Sequence, residues 1–165
     1  MKDNAYINIL KQNGHTISKP ISNIDSFDFF IPKIDEQYFY TSFWADEVYD
    51  DTRRENEPDD LFIMTKCFRT KEEAERYFKV IKAKAKIELE ILKENDGWKP
   101  DWTDLDSQKF YIYHSSSNNN LTINNAYGHK YINLDNIFYI KSNESAKRIL
   151  EKCKKELLII FGATE

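Results

Sequence analysis

The chain has 165 residues, 41% of them apolar and 15% aromatic, with a formal charge of −4. That apolar share excludes an intrinsically disordered chain, and the length supports one domain with a self-sufficient core. The charge is divided unevenly: residues 1–60 carry 6 Lys/Arg against 13 Asp/Glu, and residues 61–165 carry 18 against 15, a balance that argues against nonspecific nucleic-acid binding.

In chain order, Tyr6–Leu10 reads as a short strand, and Asn13-Gly14 is a turn signal that closes a hairpin with His15–Ile17. Ser26–Ile31 reads as a strand stopped by Pro32. Tyr38–Trp44 is the clearest strand, apolar or aromatic on both faces, as expected of one that is central or lies under a helix. Ala45–Asp60 holds Pro58 and no apolar period, and reads as an acidic loop. Leu61–Phe68 returns to strand.

Thr70 and Glu73 form a capping-box pattern that opens a long helix over about 71–95. Ala74, Phe78, Ile81, Ala85, Leu89 and Leu92 trace its expected buried stripe. Lys79, Lys82, Lys86 and Lys93 line a solvated face, and Gly97 is the left-handed stop. Lys109–His114 alternates as a strand, Ser115–Asn120 is a polar loop, and Leu121–Ile123 pairs back. Tyr131-Ile132 and Ile137–Ile140 read as further strands. A second helix spans about 143–156, followed by an apolar segment, Leu157–Phe161, that requires burial.

One pattern occurs twice. Phe68–Arg76 returns as Ile140–Arg148, each an apolar strand end, a hydroxyl cap (Thr70, Ser142), an acidic first turn and a helix. Internal duplication and chance recurrence of a common strand-to-helix transition both account for it. The expected fold class is α+β: an antiparallel β-sheet with two main helices (about 71–95 and 143–156) packed on it. The expected organisation is an acidic, strand-rich portion over 1–60 and an α+β module over 61–165 that carries the repeat.

No apolar run approaches the ~20 residues that cross a bilayer, and Met1–Asn4 open without an apolar leader stretch. A soluble cytoplasmic protein is expected. Cys67 and Cys153 lack CxxC spacing and lie in apolar contexts, which suits buried reduced thiols.

The acidic stretch is the sharpest candidate site. Asp46, Glu47, Asp50, Asp51, Glu55, Glu57, Asp59 and Asp60 can imitate phosphate spacing against a basic groove, with Trp44, Tyr40 and Tyr49 as apolar anchors. The alternative is a solvated charge run, and Arg53 and Arg54 weaken the mimicry. EF-hand spacing is missing, so no metal is expected. Trp98, Pro100 and Trp102 read as a structural clamp at a helix-to-strand junction, with base stacking as the alternative. His15, His114 and His129 are scattered, and a His114–Asp101 or His114–Asp104 acid–base pair would need convergence in space. No phosphate loop, nucleophile elbow or dinucleotide fingerprint is present.

From Phe62 onward the chain resembles a family of small accessory proteins of phages and prophages of low-GC Gram-positive bacteria. The resemblance is carried by Phe68-x-Thr70-x-Glu72-Glu73-Ala74-Glu75, Trp98-x-Pro100-Asp101-Trp102-x-Asp104, Lys109–Tyr113, Ile137-Phe138 leading into Ser142-x-Glu144-x-Ala146, and the tail Leu157–Gly162. Residues 1–60 lie outside it. The resemblance implies no reaction and no cofactor. Proteins of this build look like counter-defence factors such as anti-CRISPR proteins, which bind a host immune protein without catalysis. It therefore implies an inhibitor of a bacterial defence nuclease, with a host defence protein such as a Cas nuclease as partner and no direct nucleic-acid contact. The competing readings are a small metal-dependent nuclease using Asp/Glu with His114, and a phage regulatory nucleic-acid-binding protein.

Overall fold

The computed structural model describes residues 27–42, 44–104, 106–115, 117–126 and 138–162. Its elements are β1 (Gln37–Ser42), β2 (Glu47–Thr52), α1 (Asp59–Thr65), α2 (Lys71–Asn95), β3 (Lys109–Ser115), β4 (Asn120–Ala126), α3 (Asn143–Lys152) and α4 (Lys154–Phe161). The fold is α+β, as the periodicities predict, and its antiparallel strands divide into two two-stranded sheets, β1–β2 and β3–β4. The strands expected over 6–17 and at 131–132 lie outside the described residues.

The repeated sequence pattern is a repeated structure. Phe39 in β1 exchanges both backbone hydrogen bonds with Phe68, at 2.9 Å each. Phe110 in β3 does the same with Ile140, at 3.0 and 2.8 Å. Phe68 and Ile140 each stand two residues before a helix cap. Thr70 Oγ1 accepts the Glu73 N–H at 3.2 Å, and Ser142 Oγ accepts the Ser145 N–H at 3.1 Å. Each cap satisfies an N–H that the first helical turn leaves without an intrahelical partner. Hairpin, single bridge, hydroxyl cap and helix thus occur in that order twice.

Several sequence expectations need correction. Residues 45–60 are not a loop. Glu47–Thr52 is a strand whose backbone pairs with β1, and Asp59-Asp60 open α1. An edge strand tolerates exposed carboxylates, and carboxylates at a helix N-terminus favour it. Leu61–Phe68 is not a strand either. Its four consecutive apolar residues fit either period; the acidic start and the left-handed Lys66 (φ 61°) make it a short helix that buries only Phe62. Residues 27–31 form no strand, although Phe27 and Phe29 enter the core and the Phe30 N–H reaches the Cys67 carbonyl at 3.2 Å. Of the strand expected over 137–140, Phe138 and Tyr139 are irregular and only Ile140 pairs. The second helix breaks at Cys153, and the apolar tail becomes α4, burying Leu157, Leu158 and Ile160.

Helix α2 has the predicted span but a different buried face. It buries Ala74, Tyr77, Phe78, Val80, Ala83, Ile87, Glu90, Ile91 and Asn95. Leu89 and Leu92, expected inside, are 51% and 70% exposed. The buried stripe runs instead through Tyr77, Val80, Ala83, Ile87 and Ile91, and two buried polar residues near its end find partners. Asn95 donates Nδ2–H to the Tyr139 carbonyl at 3.0 Å, and its Oδ1 accepts the Lys141 N–H at 3.0 Å. Glu90 takes Lys152 of α3 at 2.6 Å and Lys93 at 2.7 Å. After Asn95 the chain turns through left-handed Asp96 (φ 47°) and Gly97 (φ 78°), a conformation that Gly adopts without a steric penalty.

Three apolar clusters hold these elements. The largest joins Ala83, Ile87 and Ile91 of α2 to Ile112, Ile140, Ile149, Cys153 and Leu157. A second sets Phe27, Phe68, Tyr77 and Val80 under β1–β2, and a third puts Phe62 of α1 against Tyr38 and Cys67. Both cysteines are buried and free, and burial pushes the Cys67 thiol up to about 11. No described helix is long and apolar enough to cross a membrane.

The α2–α3–α4 seam is also charged: Glu94 holds Arg148, and Lys86 holds Glu156. Hydrogen bonds from Lys152 and Lys93 pull the Glu90 carboxyl down to about 2, against opposing burial. A depressed carboxyl pKa adds stability above the ordinary glutamate range and loses it as pH falls towards the folded value. We expect acid unfolding of the wild type to include a component between about pH 4.5 and 2. Glu90→Gln should lose that component and be less stable at neutral pH, as measured by urea midpoints across pH.

Candidate functional site

The carboxylates of residues 46–60 have two different fates. Some tie the segment to the body of the protein. Asp46, left-handed at φ 57°, grips Lys82 of α2 at 2.6 and 2.9 Å, so the tip of the β1–β2 hairpin is pinned to the long helix. Asp59 pairs with Arg53 at 2.6 Å. Arg53 also donates to the carbonyls of Pro32 (2.7 Å) and Glu57 (3.0 Å), and its guanidinium lies 4.8 Å from the centre of the Phe62 ring. One mostly buried arginine thus folds the acidic stretch onto α1. The Glu57 side chain accepts the Arg54 backbone N–H at 2.9 Å.

The others face outward. Glu47, Asp50, Glu55 and Asp60 are exposed, Asp51 is half-buried, and no described lysine or arginine pairs with them. Asp50 accepts only from Gln37 Nε2 (3.0 Å), while Asp51 and Asp60 accept the next residue's N–H at 2.7 and 3.0 Å. Trp44 stands in the turn between β1 and β2, fully exposed.

Strand alternation decides what lies beside these carboxylates. Phe39 and Val48 point to the core around Phe27 and Phe68. The opposite face carries Tyr38, Tyr40 and Ser42 from β1, with Asp51, Tyr49 and Glu47 directly across. Tyr40 stacks on Tyr49 (centroids 5.9 Å, 28°), and Tyr38 is roofed by Phe62 at 5.3 Å. Burial, then the charges of Asp51 and Glu57, push the Tyr38 hydroxyl up to about 12. Its hydrogen bond to Glu47 raises Tyr49 as well. Behind burial and hydrogen bonding, the charges of Asp51 and Glu57 on Tyr38 and of Glu47 on Tyr49 contribute to these shifts.

The clamp segment surrounds a lysine. Lys109 is fully buried; Nζ donates to the carbonyls of Asp104 (3.0 Å) and Ser107 (2.9 Å) and lies 5.4 Å from the Trp102 ring centre. Trp102 meets Tyr139 edge-on at 4.7 Å. Trp98 and Pro100 are half-buried, and the Trp98 N–H returns to the Asn95 carbonyl at 2.9 Å. His114 is not brought to Asp101 or Asp104. Those aspartates cap their own turn, beside Lys109. His114 lies five residues further along β3, roughly 17 Å away at the rise of an extended strand. Among the described residues no group of three His, Cys, Asp or Glu side chains could hold a metal ion. His15 and His129 lie outside the described residues.

A groove of about 990 Å³ runs between β2, α2 and α4 and includes Val48, Phe78, Lys82, Lys86, Glu156 and Ile159. Lys82 and Lys86 in this groove are spent on Asp46 and Glu156. The sequence pointed to the carboxylates and to Trp44. It did not separate pinning from outward-facing carboxylates, because Lys82 follows Asp46 by 36 positions. No family model, curated protein or solved structure matches the chain.

Proposed function

We propose that the protein acts by occupying another protein: a phage-encoded accessory protein that inhibits a bacterial defence nuclease in the host cytoplasm, in the manner of anti-CRISPR proteins. The observation that carries the binding mode is the hairpin surface itself. Outward carboxylates without described cationic partners adjoin a fully exposed tryptophan at a tip pinned by Asp46–Lys82. A basic protein surface is the complement of that arrangement. Charge would speed the encounter, and the aromatic anchor would supply buried contact area. The assignment to phage counter-defence rests on the sequence resemblance described above.

Co-purification of the tagged chain from a host carrying several defence systems tests this reading. A nuclease complex should be retained at about 0.15 M salt and released near ~0.5 M. Converting Glu47, Asp50, Asp51 and Asp60 to their amides should abolish capture, and of the four only Asp60, in the first turn of α1, should lower thermal stability, and slightly. Amides at Asp46 and Asp59 should cost stability, because those two hold the segment together. Capture that ignores both salt and the four amides would sink the acidic-surface reading, and no captured defence protein would sink the function.

A further inference from the structure

We infer that the outward face of the β1–β2 hairpin is a receptor for arginine side chains of a protein partner, in preference to lysine. This rests on the proposed binding mode and identifies the chemistry that it recognises. The argument comes from how the chain treats its own arginines. Arg53 lies over Phe62 at 4.8 Å and pairs with Asp59. Arg69 lies over Phe30 at 4.1 Å and pairs with Glu36 at 3.2 Å. Both sites combine an aromatic ring with a carboxylate, as does Lys82, which lies over Phe78 at 5.2 Å and pairs with Asp46; the preference for arginine therefore rests on the geometry of the guanidinium.

The Tyr40–Tyr49 pair presents the same two components towards solvent. The rings are stacked, Tyr49 is 38% exposed, and Glu47 and Asp51 flank it two residues away on the same face of β2. Arg53, further along that face, is committed to Asp59, Pro32 and Glu57, and no described arginine lies over either tyrosine. A guanidinium fits such a face better than an ammonium. It is planar, stacks on an aromatic ring with little loss of hydration, and offers paired N–H donors to a carboxylate. Lysine would gain the charge attraction but little of the stacking.

The test uses the full chain and two labelled peptides of equal length and charge, one Arg-Ser repeat and one Lys-Ser repeat, read by fluorescence anisotropy at about 0.15 M salt. The arginine peptide should bind about 5-fold tighter, the worth of one added cation–π contact. Tyr49→Leu should remove that preference while leaving lysine-peptide binding within about twofold, and Tyr49→Phe should retain it. Glu47→Gln with Asp51→Asn should weaken both peptides. Equal affinities for the two peptides, or a Tyr49→Leu loss common to both, would overturn the arginine assignment while leaving a general acidic surface standing. Binding that depends on Asp50 and Asp60 but not on Glu47 and Asp51 would place contact off this face and overturn it too. Absence of binding by either peptide would overturn the assignment together with the acidic-surface reading.

Discussion

Phe68→Ala is expected to lower the unfolding free energy by about 3–5 kcal/mol, as measured by urea denaturation. Phe68 is fully buried, and its ring meets Phe29 at 5.2 Å, Tyr77 at 5.1 Å and Phe27 at 6.3 Å. Its backbone bonds to Phe39 do not involve the side chain. Truncation therefore leaves the bridge chemically possible and removes the packing beneath it. The cost is the transfer of the ring plus the cavity left among three other aromatics, which cannot close without tilting. Phe68→Leu fills much of that space and should cost less, about 1–2 kcal/mol. Equal effects of the two substitutions would mean that the cavity is not the cause. Against a total stability of about 5–15 kcal/mol, the alanine variant is expected to lose a large share of its margin.

Lys109→Met is expected to cost about 2–4 kcal/mol and to change Trp102 fluorescence. Methionine matches the length of the lysine stem, so packing is nearly conserved and the change isolates the ammonium. That group satisfies the Asp104 and Ser107 carbonyls and lies over the Trp102 ring. Without it the turn before β3 loses its internal lock, and two carbonyls must find water or stay unpaired. Lys109→Arg should not restore stability, because a planar fork needs more room than this fully enclosed site provides. A methionine variant as stable as the wild type, with unchanged tryptophan emission, would show that the lysine is incidental to the turn.

What the sequence discloses here follows the range over which each interaction acts. Thr70, Ser142 and Gly97 act within one helical turn, so the starts of α2 and α3 and the end of α2 are legible. Alternation in β3 and the polar turn after it disclose the β3–β4 hairpin, whereas the aromatic run of β1 discloses a strand without its partner β2. The buried face of α2 is not legible in its second half. Glu90 and Asn95 look like surface residues until Lys152, Tyr139 and Lys141 are brought to them by the fold. The short α1 is ambiguous because four apolar residues in a row fit a strand or a helix. The candidate site was legible as composition only. Which carboxylates are pinned depends on Lys82, and on Arg53 reaching Pro32, 21 residues upstream.

Asn95 gives the two halves a common latch. It is the last residue of α2, and its single amide holds the peptide groups on either side of Ile140, the residue that leads into α3. Fraying of the long helix at that end therefore strips two hydrogen bonds from the approach to α3 while the bridge to Phe110 still holds Ile140: loosening of one unit weakens the doorway of the next.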